Sequence, residues 1–138
     1  MNASVERGFA AVLRESLVGL QVREATCSEP LPSDLQLAVV ECASVEHVAG
    51  PLHKAAVKVW LGTPAFDASE AEHARAANRL CAALDAAASD TVAAAALFDP
   101  ACQVASWRGC FVKSASLDVQ DNTWRTTADV VVGLCAAG

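Results

Sequence analysis

The chain has 138 residues, 16 acidic and 10 basic side chains and a formal net charge of −6, and 54% of its residues are hydrophobic. This length predicts one domain with a single core. Neither sign of charge is collected into a run, which argues against nucleic-acid binding. The first residues lack the apolar core of a signal peptide, and no apolar run approaches the roughly 18 residues of a membrane span. We therefore expect a protein that is made and kept in the cytosol.

The N-terminal residues predict a helix. An apolar stripe recurs at helical spacing, while Glu6 and Arg7 fall outside it. The stripe consists of Val5, Phe9, Val12, Leu13 and Leu17. We expect an amphipathic helix that begins near Asn2 or Ser4, ends at Gly19 and lies on a sheet.

Two β-branched runs, residues 35–42 and 55–61, have the length of strands. The segment before them, residues 21–34, contains two prolines that exclude a helix or a central strand, so we expect an extended arm. The segment between them, residues 43–54, is too long for a tight turn. We expect it to be a mobile loop.

A long helix is predicted after the second strand. Asp67 and Glu70 have the spacing of a capping box, in which the Asp side chain accepts from free amides at the start of the helix. The apolar stripe of this helix consists of His73, Ala77, Leu80, Cys81, Leu84 and Ala88. We expect this stripe to face the core.

A second, shorter helix is predicted over residues 91–98. Ser89 or Asp90 can cap its start, and Asp99-Pro100 ends it. Residues 103–107 then predict a further strand, or the start of the next one, broken at Gly109.

The last quarter of the chain, residues 110–135, alternates apolar and polar residues on both sides of a short polar segment. Asp121 and Asn122 suit a tight connection because Asp and Asn tolerate left-handed backbone angles. A long β-hairpin is predicted. The fold class is therefore α+β: a mainly antiparallel sheet on which the N-terminal helix and the central helix pair are packed.

The chemistry-bearing residues predict no active site. The six cysteines show no C-x-x-C spacing and we expect them to be reduced. No cysteine or histidine lies in a recognisable nucleophile context. We interpret His73 as a core-edge histidine bonded to a backbone carbonyl, rather than as a ligand or an acid-base group. Metal, nucleotide and other cofactor sites are not predicted, because the spacings that they need are absent.

The order of elements resembles that of one protein family. The resemblance rests on the N-terminal helix, the run at residues 35–41, the strand at residues 56–60, the helix with Glu72-His73, and the final strand that opens with Trp124. These features resemble the tail terminator (tail-completion) proteins of long-tailed bacteriophages, which cap the tail tube as a ring and meet the head-side connector.

The resemblance implies a structural protein of the virion tail or neck, assembled in the host cytoplasm, with no enzymatic activity and no cofactor. It implies a hexameric ring of identical subunits, with a tail tube protein and a head-tail connector protein as partners. No membrane and no specific nucleic acid is implied. The subunit contacts are expected at the arm, the loop, the exposed helix face and the hairpin turn. The candidate interface residues are Leu31, Pro32, His47, Leu52, Arg75, Arg79, Asp121 and Asn122.

Three other interpretations stay open. Another neck or head-tail joining subunit would have a similar size and element order. A small cytosolic enzyme or ligand-binding domain would need a pocket under the helices with convergent polar groups. An unrelated scaffold or chaperone-like binder is the third.

Overall fold

Three helices and five strands form in the computed structural model, which describes residues 1–26, 36–65, 69–120 and 123–136. The helices are α1 (Asn2–Ser16), α2 (Ser69–Ser89) and α3 (Thr91–Cys102). The strands are β1 (Gln21–Glu24), β2 (Leu37–Ala49), β3 (Leu52–Pro64), β4 (Ala105–Gln120) and β5 (Thr123–Ala136).

The strands form one sheet in the order β1-β2-β3-β5-β4. Every neighbouring pair is antiparallel except β1, which is parallel to β2. The centre of the sheet is the β3–β5 pair, whose register runs without a shift from Leu52 opposite Cys135 to Pro64 opposite Thr123. The predicted α+β class and the long C-terminal hairpin are confirmed.

The helices cover one face of the sheet. Side chains alternate along β3 and β5, so that one row of each strand is buried and the other faces away. The buried rows include Val57, Val59 and Leu61 of β3 and Val130, Val132 and Leu134 of β5. They join Phe9 and Leu13 of α1 and Leu80 and Leu84 of α2 in one core. The opposite face carries no helix in the described part of the chain.

Helices α1 and α3 approach each other closely at Gly8. A Cβ atom placed on Gly8 would lie 2.6 Å from ring atoms of Phe98. Trp107 of β4 packs against the rings of Phe9 and Phe98, with centroid distances of 6.0 and 5.3 Å. This aromatic cluster joins the two helices to the beginning of β4.

Helices α2 and α3 meet at a sharp corner. Asp90 caps α3 as predicted, because its Oδ1 accepts from the amide of Ala93 at 3.1 Å. Within the residues that the structure describes, no single helix is both long and apolar enough to cross a membrane. Only α2 and α3 taken together satisfy these criteria, and the pair is bent by 98°.

The arm predicted over residues 21–34 begins as a strand, contrary to the prediction. Residues Gln21–Glu24 form β1 because tertiary contacts fix them: the guanidinium of Arg14 donates to the carbonyl oxygen of Val22 at 2.7 Å and lies 3.5 Å from the carboxylate of Glu24. Residues 27–35 lie outside the described residues, and so does most of the predicted arm.

The mobile loop predicted over residues 43–54 was wrong. β2 continues to Ala49 and β3 begins at Leu52, so the connection consists of Gly50 and Pro51 alone. Both faces of the strands are largely exposed near this tip. The local sequence therefore lacks the apolar alternation by which strands are recognised.

Two predicted boundaries were also wrong. Helix α3 continues through Pro100 to Cys102, because Phe98 and Cys102 are both fully buried in the core. Strand β4 is not broken at Gly109: the register shifts there by one residue as a bulge, and Gly109 has a φ of +147°.

The predicted stripe of α2 is correct in part. Cys81 and Ala88 are exposed, although they were assigned to it. A helix with 3.6 residues per turn alternates steps of three and four, and the predicted stripe drifted by one residue. The buried positions are Ser69, His73, Ala76, Leu80, Ala83, Leu84 and Ala87. Asp67, the predicted cap, lies outside the described residues.

Candidate functional site

The structure separates the predicted interface residues into two places. His47 and Leu52 lie on the exposed tip of the β2–β3 hairpin, whereas Arg75 and Arg79 lie on the exposed side of α2. Arg79 donates to the carbonyl oxygen of Val18, after α1, at 2.7 Å. The remaining four, which are Leu31, Pro32, Asp121 and Asn122, lie outside the described residues. The predicted residues that can be placed therefore do not form one continuous surface.

The open face of the sheet carries charges of both signs. The register places Lys58 of β3 between Glu41 of β2 and Asp129 of β5. In a neighbouring row, the ammonium of Lys54 lies 3.3 Å from the carboxylate of Glu46. This mixture of charges does not favour a polyanion, because neither sign dominates the face.

A groove of about 590 Å³ crosses this open face between the β2–β3 hairpin and β4. Its polar wall comes from Glu46, Lys54 and Lys113, and its apolar wall from Phe111 and Val131. Such a volume accommodates either a small molecule or side chains of another protein.

Two stretches of sheet edge have no neighbouring strand among the residues that the structure describes. β4 is the last strand on one side, and it extends over sixteen residues. On the other side, β1 pairs only with Leu37 to Val40 of β2, so that residues 43–49 form a second open edge. Long unpaired edges readily pair with another chain unless something covers them.

Strand β4 also exposes large apolar side chains. Phe111 is 57% exposed and Leu117 is 63% exposed. Leu117 pairs with the buried Thr126 and therefore lies on the helix-covered side of the sheet, whereas Phe111 pairs with Val131 on the open side. Exposed apolar side chains on both faces of an edge strand are typical of a protein contact.

No protein-family model matches the chain, and no curated protein matches it significantly.

His73 is the centre of a buried hydrogen-bonded cluster. Its Nδ1 lies 2.7 Å from the hydroxyl oxygen of Thr63 and its Nε2 lies 2.7 Å from that of Thr126. Gln36 donates to the Thr63 hydroxyl at 2.8 Å. The predicted backbone partner of His73 was thus wrong, since both partners are hydroxyl groups. Burial lowers the pKa of His73, so the ring is neutral and fully bonded, as in a structural cluster.

The thiols of Cys42 and Cys110 are not activated. Cys42, Cys81, Cys102, Cys110 and Cys135 are free cysteines. Burial is the largest cause that raises the pKa of Cys42 and of Cys110 to about 11, so both are protonated at neutral pH. Within the described ranges, no group of three His, Cys, Asp or Glu side chains is placed to hold a metal ion.

Glu6 is the main polar residue that sequence reasoning misplaced. It was assigned to the polar side of α1, but only 2% of it is exposed. Its carboxylate accepts from the amide and hydroxyl of Thr26, at 3.1 and 2.9 Å, and from the amide of Cys42 at 3.0 Å. Glu6 thereby fastens the end of β1 to β2. No local pattern identifies this role, because both partners are distant in sequence.

Proposed function

We propose that the protein is a ring-forming structural subunit which, like the phage tail terminators that it resembles, caps a tail tube and joins it to the head-side connector. The ring is hexameric by that resemblance, and it is assembled in the host cytoplasm as part of the virion. The observation that carries the proposal is the pair of open edges, on β4 and β2.

The directions of the strands favour a head-to-tail contact between copies. β4 runs opposite to β2, because each successive pair between them in the sheet is antiparallel. A second copy rotated about an axis along the strands would therefore present its β2 edge antiparallel to β4. Contacts between two different patches of one chain close into a ring when the rotation closes.

The side chains along the two edges are complementary. The open edge of β2 carries Glu46, whereas β4 carries Arg108 and Lys113. The exposed Phe111 and Leu117 add apolar area that a neighbour would bury. Apolar contacts with matched charges at their rim are typical of protein interfaces.

The mass in solution tests the proposal. We expect native mass spectrometry to show a closed ring, either alone or after addition of a tail tube protein, and negative-stain images to show its lumen. Leu117→Glu should shift the mass towards the monomer, because it places a charge in the contact. Val92→Glu is the matched control, since Val92 is 82% exposed and lies on α3 rather than on an edge strand.

Failure to form a ring would favour a different function. A chain that stays monomeric at high concentration and beside a tube protein would favour the ligand-binding alternative, for which the groove of about 590 Å³ is the specific observation. Tight binding of duplex DNA at physiological salt would also count against the ring, because we expect at most weak, steeply salt-dependent binding. A ring that binds the connector but not the tube would favour another neck subunit.

A further inference from the structure

The tip of the β2–β3 hairpin brings two histidines together. His47 and His53 lie directly opposite each other in the register of the two strands. Their ring centroids are 5.2 Å apart, and the rings meet edge to face at 66°. His47 is exposed and His53 is half-buried, so both rings are accessible from solvent.

One nitrogen of each ring is already occupied by a backbone carbonyl. His47 donates through Nε2 to the oxygen of Gly50 at 2.8 Å, and His53 donates through Nδ1 to the oxygen of Pro51 at 3.1 Å. A carbonyl oxygen can only accept, so these nitrogens carry the hydrogens. In the neutral rings the lone pairs are therefore on Nδ1 of His47 and Nε2 of His53.

The same hydrogen bonding to a carbonyl is found in histidines that bind metals. A histidine ligand usually donates its second ring nitrogen to a carbonyl or carboxylate, which fixes the tautomer and increases the basicity of the coordinating nitrogen. Here both rings meet this condition, on adjacent strands and within contact distance of each other.

We propose that His47 and His53 form a two-imidazole site for a divalent transition-metal ion such as Zn²⁺, Ni²⁺ or Cu²⁺. Two ligands leave coordination positions open, and these are filled by water or by a side chain of a neighbouring molecule. The site does not depend on ring formation, because both ligands belong to one chain.

The hairpin tip is anchored, which keeps the two rings in place. Pro51 oxygen, which accepts from His53, also accepts from the amide of Ala136 in β5 at 2.7 Å. The tip is thus bonded to a third strand. Ligands held on strands with fixed hydrogen-bond partners bind with less loss of side-chain freedom than ligands on a loop.

The ligand type determines which ions bind. Imidazole suits Zn²⁺, Ni²⁺ and Cu²⁺, and affinity at such a site increases from Co²⁺ through Ni²⁺ to Cu²⁺. Mg²⁺ and Ca²⁺ prefer oxygen ligands and should not compete. Cu²⁺ should therefore bind more tightly than Zn²⁺, and a large excess of Mg²⁺ should leave both unaffected.

Histidine NMR signals provide the test, because the chain contains only three histidines. His73 is the internal control: both its nitrogens are bonded to threonine hydroxyls in the core. Titration of the full chain with Zn²⁺ should shift the ring signals of His47 and His53, spare those of His73, and saturate at one ion per chain. Calorimetry with Zn²⁺ gives the affinity.

Variants show whether Zn²⁺ binds to these two histidines or to cysteine thiols elsewhere in the chain. Loss of an outer-shell partner alone commonly weakens metal binding 10–100-fold, so His47→Gln and His53→Gln should each weaken Zn²⁺ binding by about tenfold or more. Val48→Gln, at an exposed neighbouring position, should bind as the unmodified chain does. The proposal is overturned if no histidine signal shifts at millimolar Zn²⁺, or if the double variant His47→Gln/His53→Gln retains the affinity.

Discussion

His73 is the residue whose ionisation should couple most directly to stability. The pKa of its buried ring lies below the ordinary value of 6.5, because burial removes the water that would stabilise the charged form. Between that lowered pKa and 6.5, the unfolded chain binds a proton at His73 that the folded chain does not. The free energy of unfolding therefore decreases as the pH falls through this range, by at most about 1.4 kcal/mol per pH unit.

Urea denaturation at several pH values checks this expectation. His73→Gln cannot titrate at this position, so its free energy of unfolding should depend less on pH between neutrality and mild acid. An unchanged pH dependence in the variant would assign the effect to other groups. Loss of stability that is independent of pH is expected as well, because the two threonine hydroxyls lose their partner.

Glu6 should contribute more to stability than any exposed carboxylate of α1. Glu6→Ala leaves the amides of Thr26 and Cys42 without their acceptor, and we expect a loss of about 2–3 kcal/mol in the free energy of unfolding. Glu15→Ala, at an exposed position of the same helix, should change it by less than about 0.5 kcal/mol. Equal effects of the two substitutions would mean that the three hydrogen bonds contribute little.

At the scale of helices and strands, the sequence predicts those elements whose apolar side chains recur at regular helical or strand spacing. The N-terminal helix, α2 and β5 each bury one row of side chains, and that row is largely visible in the sequence. β1 has no such row: Arg14 and Glu6 hold it from α1, across the fold. Pro100 is a strong local signal for the end of a helix, but burial of Phe98 and Cys102 outweighs it.

Because α1 and α3 meet at Gly8, we expect Gly8→Ala to destabilise the protein, although helix propensity alone would predict that it stabilises it. Gly→Ala within a helix normally stabilises by about 0.5–1 kcal/mol. In Gly8→Ala, the new methyl group would lie 2.6 Å from the ring of Phe98 and 3.1 Å from Cβ of Cys102. Overpacking of this kind costs about 1–3 kcal/mol, so we expect a net loss of stability.

Thermal and urea denaturation of the Gly8→Ala protein measure this loss. Phe98→Leu replaces the ring with a smaller side chain and provides the background for the double variant. Gly8→Ala should cost less in the Phe98→Leu background than alone, because the two positions share one space. Strict additivity would show that the helices do not meet at Gly8.

For the whole molecule, the sequence shows where apolar and polar side chains alternate along a strand. It does not show which of the resulting surfaces are left uncovered by other elements of the fold. In the sequence, Phe111 and Leu117 fall in one alternating apolar row, and such a row usually predicts a buried face. In the structure, the register shift between Val112 and Ser114 places the two side chains on opposite faces of the sheet, and both are exposed. The candidate interface at β4 was therefore missed, whereas the surface position of His47 and Leu52 was predicted, though as part of a loop.

The cysteine thiols of the folded protein should react at different rates, because their burial differs. In the native protein Cys81 is exposed, whereas Cys42 and Cys102 are buried, so a thiol reagent should modify Cys81 first. The raised pKa of Cys42 and Cys110, about 11 in each case, further slows their modification. Mass spectrometry after brief labelling checks the order, and Cys81→Ser should remove the fast phase. Unfolding without reductant should release six reactive thiols, and a smaller number would indicate a disulfide.

The uninterrupted pairing of β3 with β5 has a kinetic consequence. The β2–β3 and β4–β5 hairpins each close over a connection of two residues, whereas both α2 and α3 lie in the chain between β3 and β5. Contacts between distant segments form slowly because the loop between them must lose its entropy first. We expect the amides within each hairpin to become protected early in refolding. The amides of the β3–β5 pairing, which joins the two halves of the chain, should become protected last. Pulse-labelling hydrogen exchange can follow this order, because the amides shared by β3 and β5 are distinct from those within each hairpin.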